Sequence, residues 1–419
     1  MSTSFALTEP VAAHRIRTGQ WRRAGAAVFC SAWGGNQFTP LLLMYRHVGG
    51  YSTVTVDLFL GAYVAGLAPG LLIAGPASDV HGRRRVMVVG TALSLLGSLV
   101  LALGATGPLP LYLGRLISGA AVGIAMSVGT SWIKELSTAP HDRRADVGAG
   151  ARRASLAVTL GFGLGGGVAG ALAQWTPWPT VLPYLAHVAI GVPVLIGAIR
   201  GTETRAPQRI AALRSRLRVP IAGHRRFLRV VLPMAPWIFG SAGVAYAVMP
   251  QLTAGRVGHW QLAYATLVTV CTPAAGALVQ PLAKRLDSVG TARAVLAAMV
   301  VMSVGMAVSA VDAQLRLPWL GVVVAVVLGA GYGIALVSGL LEIQRICADS
   351  DTGDLAGLTG VYYALAYSGF LLPVLLATLS HLLSYPLLLA ALSGCALACT
   401  GVVGVSSRRD LPVTATDTR

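Results

Sequence analysis

The sequence predicts an all-α membrane protein with twelve transmembrane helices in two pseudo-symmetric six-helix bundles. Three observations predict it. Of 419 residues, 55% are hydrophobic and only 11% charged. Apolar stretches of about 20 residues, enough to cross a bilayer core, recur twelve times. Short segments of the first half also reappear at a nearly constant distance in the second.

The apolar stretches fall at 25–45, 55–77, 86–105, 110–133, 154–173, 179–199, 229–250, 260–283, 291–311, 318–343, 355–379 and 384–405. Lipid offers the backbone no hydrogen-bond partner, so each span must be a helix. Glycine, at 50 residues, exceeds the usual share of roughly 7%, and small residues let membrane helices approach closely. The expected divisions are a tail at 1–21, a bundle at 22–199, a basic linker at 200–228, a second bundle at 229–405 and a tail at 406–419. Residues 1–21 lack the apolar core and cleavage site of a signal peptide, so span 1 is expected to stay in the mature chain.

A net charge of +17 would suggest nucleic acid as partner in a soluble protein. Its placement argues against that. Every Lys and Arg except Arg46, Arg115, Arg256 and Arg316 falls on one side when the spans are counted from an inside N-terminus. This positive-inside bias puts both termini in the cytoplasm of a multi-pass inner (plasma) membrane protein, and excludes a nucleic-acid surface. Thirty arginines against two lysines and one asparagine read as GC-rich codon usage and a bacterial source. Trp175, Trp178, Trp260 and Trp319 cluster at predicted outer ends of spans, as an interfacial belt does. The five cysteines form no pair placed for an outside disulfide and no metal-ligand spacing. No cofactor is expected. Neither H-E-x-x-H, nor paired acids at depth, nor a phosphate-binding loop is present, which argues against an enzyme or an ATP-driven pump.

The repeat is specific. Span 4 reads Gly119-Ala120-Ala121-Val122-Gly123-Ile124-Ala125, and span 10 reads Gly329-Ala330-Gly331-Tyr332-Gly333-Ile334-Ala335, at an offset of 210 with five identities in seven. Pro40 pairs with Pro250 at that offset, and Gly161-Phe162 with Gly369-Phe370 at 208.

Between spans 2 and 3 stands Gly75-Pro76-Ala77-Ser78-Asp79-Val80-His81-Gly82-Arg83-Arg84-Arg85. This resembles the loop of the major facilitator superfamily, G-x-x-x-D-x-x-G-R-[RK]-[RK], which Gly75, Asp79, Gly82, Arg83, Arg84 and Arg85 all match. Parallel repetition of six-span halves belongs to the same architecture, and the resemblance covers about residues 22–405. It implies a secondary transporter of small molecules working by alternating access, usually as a monomer. It further implies that the loop is a conformational latch. Asp79 would face the N-terminal end of span 11 near 354–357, and the arginines would pair with Glu135. The second half carries a degraded copy around Pro281, Lys284, Arg285 and Gly290, with Lys284 in place of the acid.

Arg115-Leu116-Ile117-Ser118-Gly119 resembles the span-4 motif R-x-x-x-G that the family associates with proton coupling, although a charge near a span end also snorkels. Span 5, with Gly161, Gly163, Gly165, Gly166, Gly167 and Gly170, resembles the antiporter branch without its Gly-Pro step, and close packing explains it equally.

Cavity candidates are the polar residues and aromatics at mid-span: Trp33, Asn36 and Gln37 in span 1, Trp237, Ser241 and Tyr246 in span 7, and Tyr363 and Tyr367 in span 11. Proton coupling needs a titratable group in a desolvated setting. Besides Arg115, the candidates are Asp57, which could instead cap its helix, and Glu342, which could instead pair with Arg345. His187 in peripheral span 6 is expected to be structural. The linker would carry an amphipathic helix at 210–217 on anionic lipid, or be merely solvated. The function expected is proton-coupled efflux of a small amphipathic or hydrophobic drug or metabolite. An importer or uniporter of a polar metabolite is the alternative, and a non-transporting sensor is third.

Overall fold

The computed structural model describes residues 19–146, 148–205, 219–288, 291–348 and 355–409. Among these, regular structure is helical apart from an isolated bridge between Ser288 and Thr291. The linker helix expected at 210–217 and Asp354 lie outside the described residues.

Span 1 is two helices, Trp21–Asn36 and Leu42–Val48, joined through a 3-10 turn at Thr39–Leu41. Pro40 sits in that turn, where its missing N–H breaks the ladder. Span 2 is Thr53–His81, and its N-terminus is capped by Ser52, whose Oγ accepts from Thr55 N–H at 3.1 Å. Asp57 therefore does not cap that helix. Span 3 is Arg83–Ala102. Span 4 runs as Pro108–Ile124, a π turn at Ala125–Gly129, and Thr130–Leu136. Spans 5 and 6 are Ala149–Trp175 and Leu182–Ile199.

The second half follows the same plan. Span 7 comprises Leu232–Gly243 and Met249–Val257 with π turns at Phe227–Val231 and Val244–Val248. Spans 8, 9 and 10 are Gln261–Leu286, Arg293–Leu315 and Pro318–Ala348. Span 11 is Leu355–Ser368 continued by Leu372–Leu379, and span 12 is Tyr385–Arg409.

Ten stretches among the described residues are long and apolar enough to cross a membrane. One of them, Phe227–Leu286, contains both spans 7 and 8, which turn at Gly258–Trp260 and pack side by side. Span 1, broken at Pro40, completes the order. Leu164, Leu278, Val304 and Leu397 stand exposed along the spans, as does the belt of Trp175, Trp178, Trp260 and Trp319. A large apolar exterior with aromatic ends suits lipid contact.

The repeat in sequence is a repeat in packing. A Cβ at Gly119 would lie 2.0 Å from the Tyr63 carbonyl oxygen of span 2, and one at Gly329 would lie 2.4 Å from the Thr272 oxygen of span 8. Likewise Gly161 admits the backbone of span 1 at Phe29, and Gly369 admits that of span 7 at Pro236. Spans 4 and 5 thus meet spans 2 and 1 as spans 10 and 11 meet 8 and 7.

Within each half the helices pack mainly on one another. Between halves, span 2 meets span 11, span 5 meets span 8, and the broken part of span 1 meets spans 7 and 8. Among the glycines of span 5, Gly170 lies against Thr266 of span 8 in the other half, whereas Gly165 lies against Trp33 of span 1 in its own half.

Candidate functional site

Four groups of side chains stand out: a charged cluster in each half at one end, a cavity lined by both halves at the centre, and a set of bonds between the halves at the other end. The end bearing Arg83–Arg85 is the basic end.

At the basic end, Gly82 takes a φ of 95°, a left-handed value that glycine adopts without strain. That turn delivers Arg83 into a half-buried cluster. Its guanidinium lies 3.0 Å from Asp79 Oδ1 and 3.2 Å from Glu135 Oε1, and also donates to Ser78 Oγ. The chain beyond span 6 folds back over this cluster. Glu203 Oε1 accepts from the backbone N–H of Arg83 at 2.8 Å and of Arg84 at 3.3 Å, capping span 3. A carboxylate there meets the positive end of the helix dipole. Thr204 donates to Glu135, and Arg205 lies 3.4 Å from Asp79. Arg84 reaches the carbonyls of Ile199 and Gly201, whereas Arg85 is exposed. Gly75 has open space where a Cβ would stand.

The second half has a related cluster. Glu342 takes two hydrogen bonds from Arg226, at 2.5 and 3.0 Å, and one from Arg345 at 2.9 Å. Arg345 also pairs with Asp287. The expected Glu342–Arg345 pair is present, but the stronger partner is Arg226, both its side chain and that of Glu342 being almost fully buried. The acid lost at Lys284 is supplied by Asp287 three residues on. Aligning the halves at 208, as Gly161 and Gly369 require, sets Asp287 opposite Asp79.

At the centre, both halves line one cavity with about 60 Å³ of free space. Asn36, Leu60, Tyr63, Arg115 and Phe162 come from the first half, and Phe239, Tyr246, Tyr332, Tyr367 and Phe370 from the second. Arg115 is buried, with its guanidinium donating to the Gly35 and Phe59 carbonyls at 3.0 and 3.4 Å. It lies over the Tyr63 and Phe38 rings at 4.2 and 4.9 Å. Asn36 is braced by Phe162 O and Thr39 Oγ1, both at 2.8 Å.

Of the sequence candidates, Asn36, Arg115, Tyr246 and Tyr367 meet at this cavity. Trp33, Gln37, Trp237, Ser241 and Tyr363 do not line it. Gln37 turns into the first bundle, where it donates to Ser98 Oγ at 2.7 Å. Ser98 in turn bonds His187 Nδ1 at 2.7 Å, and His187 Nε2 lies 2.9 Å from Cys30 O. His187 is therefore inside its bundle although span 6 is peripheral. Trp33 packs on Gly165, and Tyr363 packs on Tyr362 and Tyr367. Tyr63, Phe239, Tyr332 and Phe370 were not singled out by sequence. Tyr332, inside the Gly329–Ala335 repeat where span 4 has Val122, carried a signal that could have found it.

At the end opposite the basic end, Gln251 of span 7 donates to Asp57 Oδ1 of span 2 at 3.1 Å. Arg46 of span 1 approaches Gln251 Oε1 at 3.5 Å. Gln174 of span 5 accepts from Ala263 N–H of span 8 at 3.0 Å and donates to His259 O, in the turn before that span, at 3.1 Å. These bonds cross between the halves.

A sequence model described as Major Facilitator Superfamily matches residues 24–371. The chain belongs to that superfamily. It is a multi-pass membrane protein, with ten stretches among the described residues long and apolar enough to cross a bilayer. Among curated relatives, this facilitator is 32% identical over 178 residues to the cephamycin export protein CmcT of Amycolatopsis lactamdurans, covering 42% of this chain and 35% of that protein. It is 36% identical over 89 residues to the D-xylose-proton symporter-like 2 of Arabidopsis thaliana, covering 21% of this chain and 18% of the other. The matched stretches thus span about a third or less of those relatives. In fold, the facilitator resembles a crystal structure of a POT family transporter in complex with 5-aminolevulinic acid, with a TM-score of 0.72 and 12% identity over 93% of this chain and 96% of that one.

Proposed function

We propose that this facilitator exports a small amphipathic or hydrophobic compound by alternating access, with protons as the coupling ion. The observation that carries the reading is the central cavity lined by both halves, with inter-half bonds beyond it at the end of Asp57 and Gln251. A space of about 60 Å³ holds a few waters, whereas ligand pockets run to about 300–1,000 Å³. A substrate therefore requires the halves to move apart, and rocking about the cavity does that with little change inside each bundle.

The basic end is assigned to the cytoplasm by the positive-inside bias. There the Arg83–Asp79–Glu135 cluster, tied down by Glu203, would act as the latch. Asp57 suits a coupling acid better than Glu342. It is buried, one helical turn from the cavity residue Leu60, and bonded across the halves. Glu342 is held by two arginines at the basic end. Export is supported by the largely aromatic and aliphatic cavity and by the likeness to a cephamycin export protein. The stretch shared with a xylose-proton symporter supports import of a polar compound as the second reading.

The test is proton flux in liposomes holding the purified protein under an imposed pH gradient, with lipophilic cations, antibiotics, aromatic acids and small sugars added in turn. Dissipation that depends on an antibiotic, cation or acid, and is lost in Asp57→Asn, is the expected result. Substrate movement with no proton movement would overturn the coupling, and movement of sugars alone would favour import.

A further inference from the structure

Arg115 is the one charged side chain lining the central cavity, and no carboxylate lines the cavity with it. It is 1% exposed. The other deeply buried arginines answer acids: Arg83 answers Asp79 and Glu135, and Arg226 answers Glu342. Arg115 has only carbonyls and rings. Of its five N–H groups, Nη1 serves Gly35 and Nε serves Phe59, while Nη2 has no acceptor among the described residues. Asp57, two residues from Phe59 along span 2, is held by Gln251. A guanidinium stripped of water and left without a counter-ion is costly, and rings at 4.2 and 4.9 Å offset only part of that.

The facing wall is of another kind. Phe239 stacks on Tyr367 with ring centroids 4.0 Å apart, and Phe370 lies 5.1 Å from Phe239. The Tyr367 hydroxyl is buried with no partner. One half thus presents a single unpaired cation, and the other presents aromatic faces with an unused hydroxyl.

We propose that the cavity takes an aromatic organic anion, its carboxylate on the Arg115 guanidinium and its ring against Phe239 and Tyr367. The proposal rests on the transporter reading and adds the charge and shape of the substrate. A carboxylate satisfies the planar fork of Arg115, and an aromatic body reaches the wall of the other half. Such a ligand joins the halves through the Arg115 guanidinium, which has no carboxylate partner without it, and through the aromatic wall that carries the unpartnered Tyr367 hydroxyl. A cation would meet Arg115 in a water-poor space, and a neutral ligand would leave it unpaired.

The probe pair is 2-naphthoate and 2-naphthamide, alike in shape and different in charge, with tetraphenylphosphonium as the cation. Binding is read on the full-length protein in nanodiscs by tryptophan fluorescence and by the shift of the unfolding temperature. The charge-assisted hydrogen bonds predict naphthoate binding roughly 10- to 100-fold tighter than the amide. Arg115→Gln should erase that preference, and Arg115→Lys should weaken binding while keeping it. The wild-type comparison needs no substitution, so it decides even if Arg115→Gln fails to fold. Tyr367→Phe, a milder change, should weaken naphthoate binding severalfold. Equal or tighter binding of the amide or the cation, or no saturable naphthoate binding at all, overturns the anion site. If the cation then moves across liposomes, transport stands and only the anion site falls. If naphthoate binds with the stated preference and nothing moves, the anion site stands and the transport reading falls.

Discussion

Asp57 of span 2 and Gln251 of span 7 meet across the two halves, with Gln251 Nε2 donating to Asp57 Oδ1 at 3.1 Å. The acid is buried, and Arg46 of span 1 stands on the other side of the same glutamine at 3.5 Å. Three spans therefore converge on one amide at the end opposite the basic cluster.

Removing that amide should loosen this end. A hydrogen bond worth about 1 kcal/mol corresponds to about a fivefold change in the balance between closed and open forms. Gln251→Leu is expected to raise, by about that factor, the labelling rate of a Leu60→Cys reporter by an impermeant thiol reagent added from the Asp57 side, in a background lacking the native cysteines. An unchanged rate would show that the Asp57–Gln251 bond does not hold this end closed.

At the basic end, Glu203 should matter as much to span 3 as a helix cap. Glu203→Gln keeps the shape but removes the charge facing the N–H groups of Arg83 and Arg84. The expected loss is about 0.5–2 kcal/mol of stability, read as a lower unfolding temperature. Arg83→Ala should cost more, because it leaves Asp79 and Glu135 without their shared partner. Partial exposure limits that cost to about 1–3 kcal/mol, below that of a fully buried pair. If Glu203→Gln and Arg83→Ala unfold at the wild-type temperature, the cluster is not holding the basic end.

The contrast between Arg83 and Glu203 marks where sequence is legible. Arg83, Asp79 and Gly82 are near neighbours in the chain, so their spacing carries the turn and the charge together. Glu203 arrives from 120 residues away, and no local pattern announces that the one acid of the linker folds back onto span 3. The twelve spans and the repeat were readable because lipid imposes length and apolarity on every helix. Facing was harder to read. Trp33 and Gln37 share a helix face, yet the break at Thr39–Leu41 and the pull of Ser98 turn Gln37 inward to its own bundle. Phe239 and Phe370 of the aromatic wall were hidden because apolar residues look alike on every face of a membrane helix, whereas Tyr332 stood out only within the repeat.

Glu342 and Arg226 form a pair whose loss should appear in stability first. Their side chains are 2% and 4% exposed, and removing one partner of such a pair costs about 3–5 kcal/mol. Glu342→Gln is therefore expected to lower the unfolding temperature sharply, with Arg345 still held by Asp287. Folded protein recovered at low temperature should retain substrate-driven proton flux. Flux abolished in a variant of normal stability would instead make Glu342 a proton carrier.

Two glycines separate backbone contact from mere composition. Gly119 of span 4 has the Tyr63 carbonyl oxygen 2.0 Å from where a Cβ would stand, while Gly163 of span 5 has no atom within 4 Å. Alanine at Gly119 must push spans 2 and 4 apart, and overpacking of this kind costs about 1–3 kcal/mol. The same push displaces Tyr63, one of the two rings over which Arg115 lies, so ligand binding should weaken along with stability. Gly163→Ala fills open space in a helix and removes glycine's backbone freedom, so it should be neutral or stabilise by a few tenths of a kcal/mol, up to about 1. Unfolding temperatures of the two variants, measured side by side, decide the matter. Equal effects would mean that spans 2 and 4 do not approach through Gly119, and the matching contact of Gly329 with Thr272 would lose its standing as the second copy of one packing design.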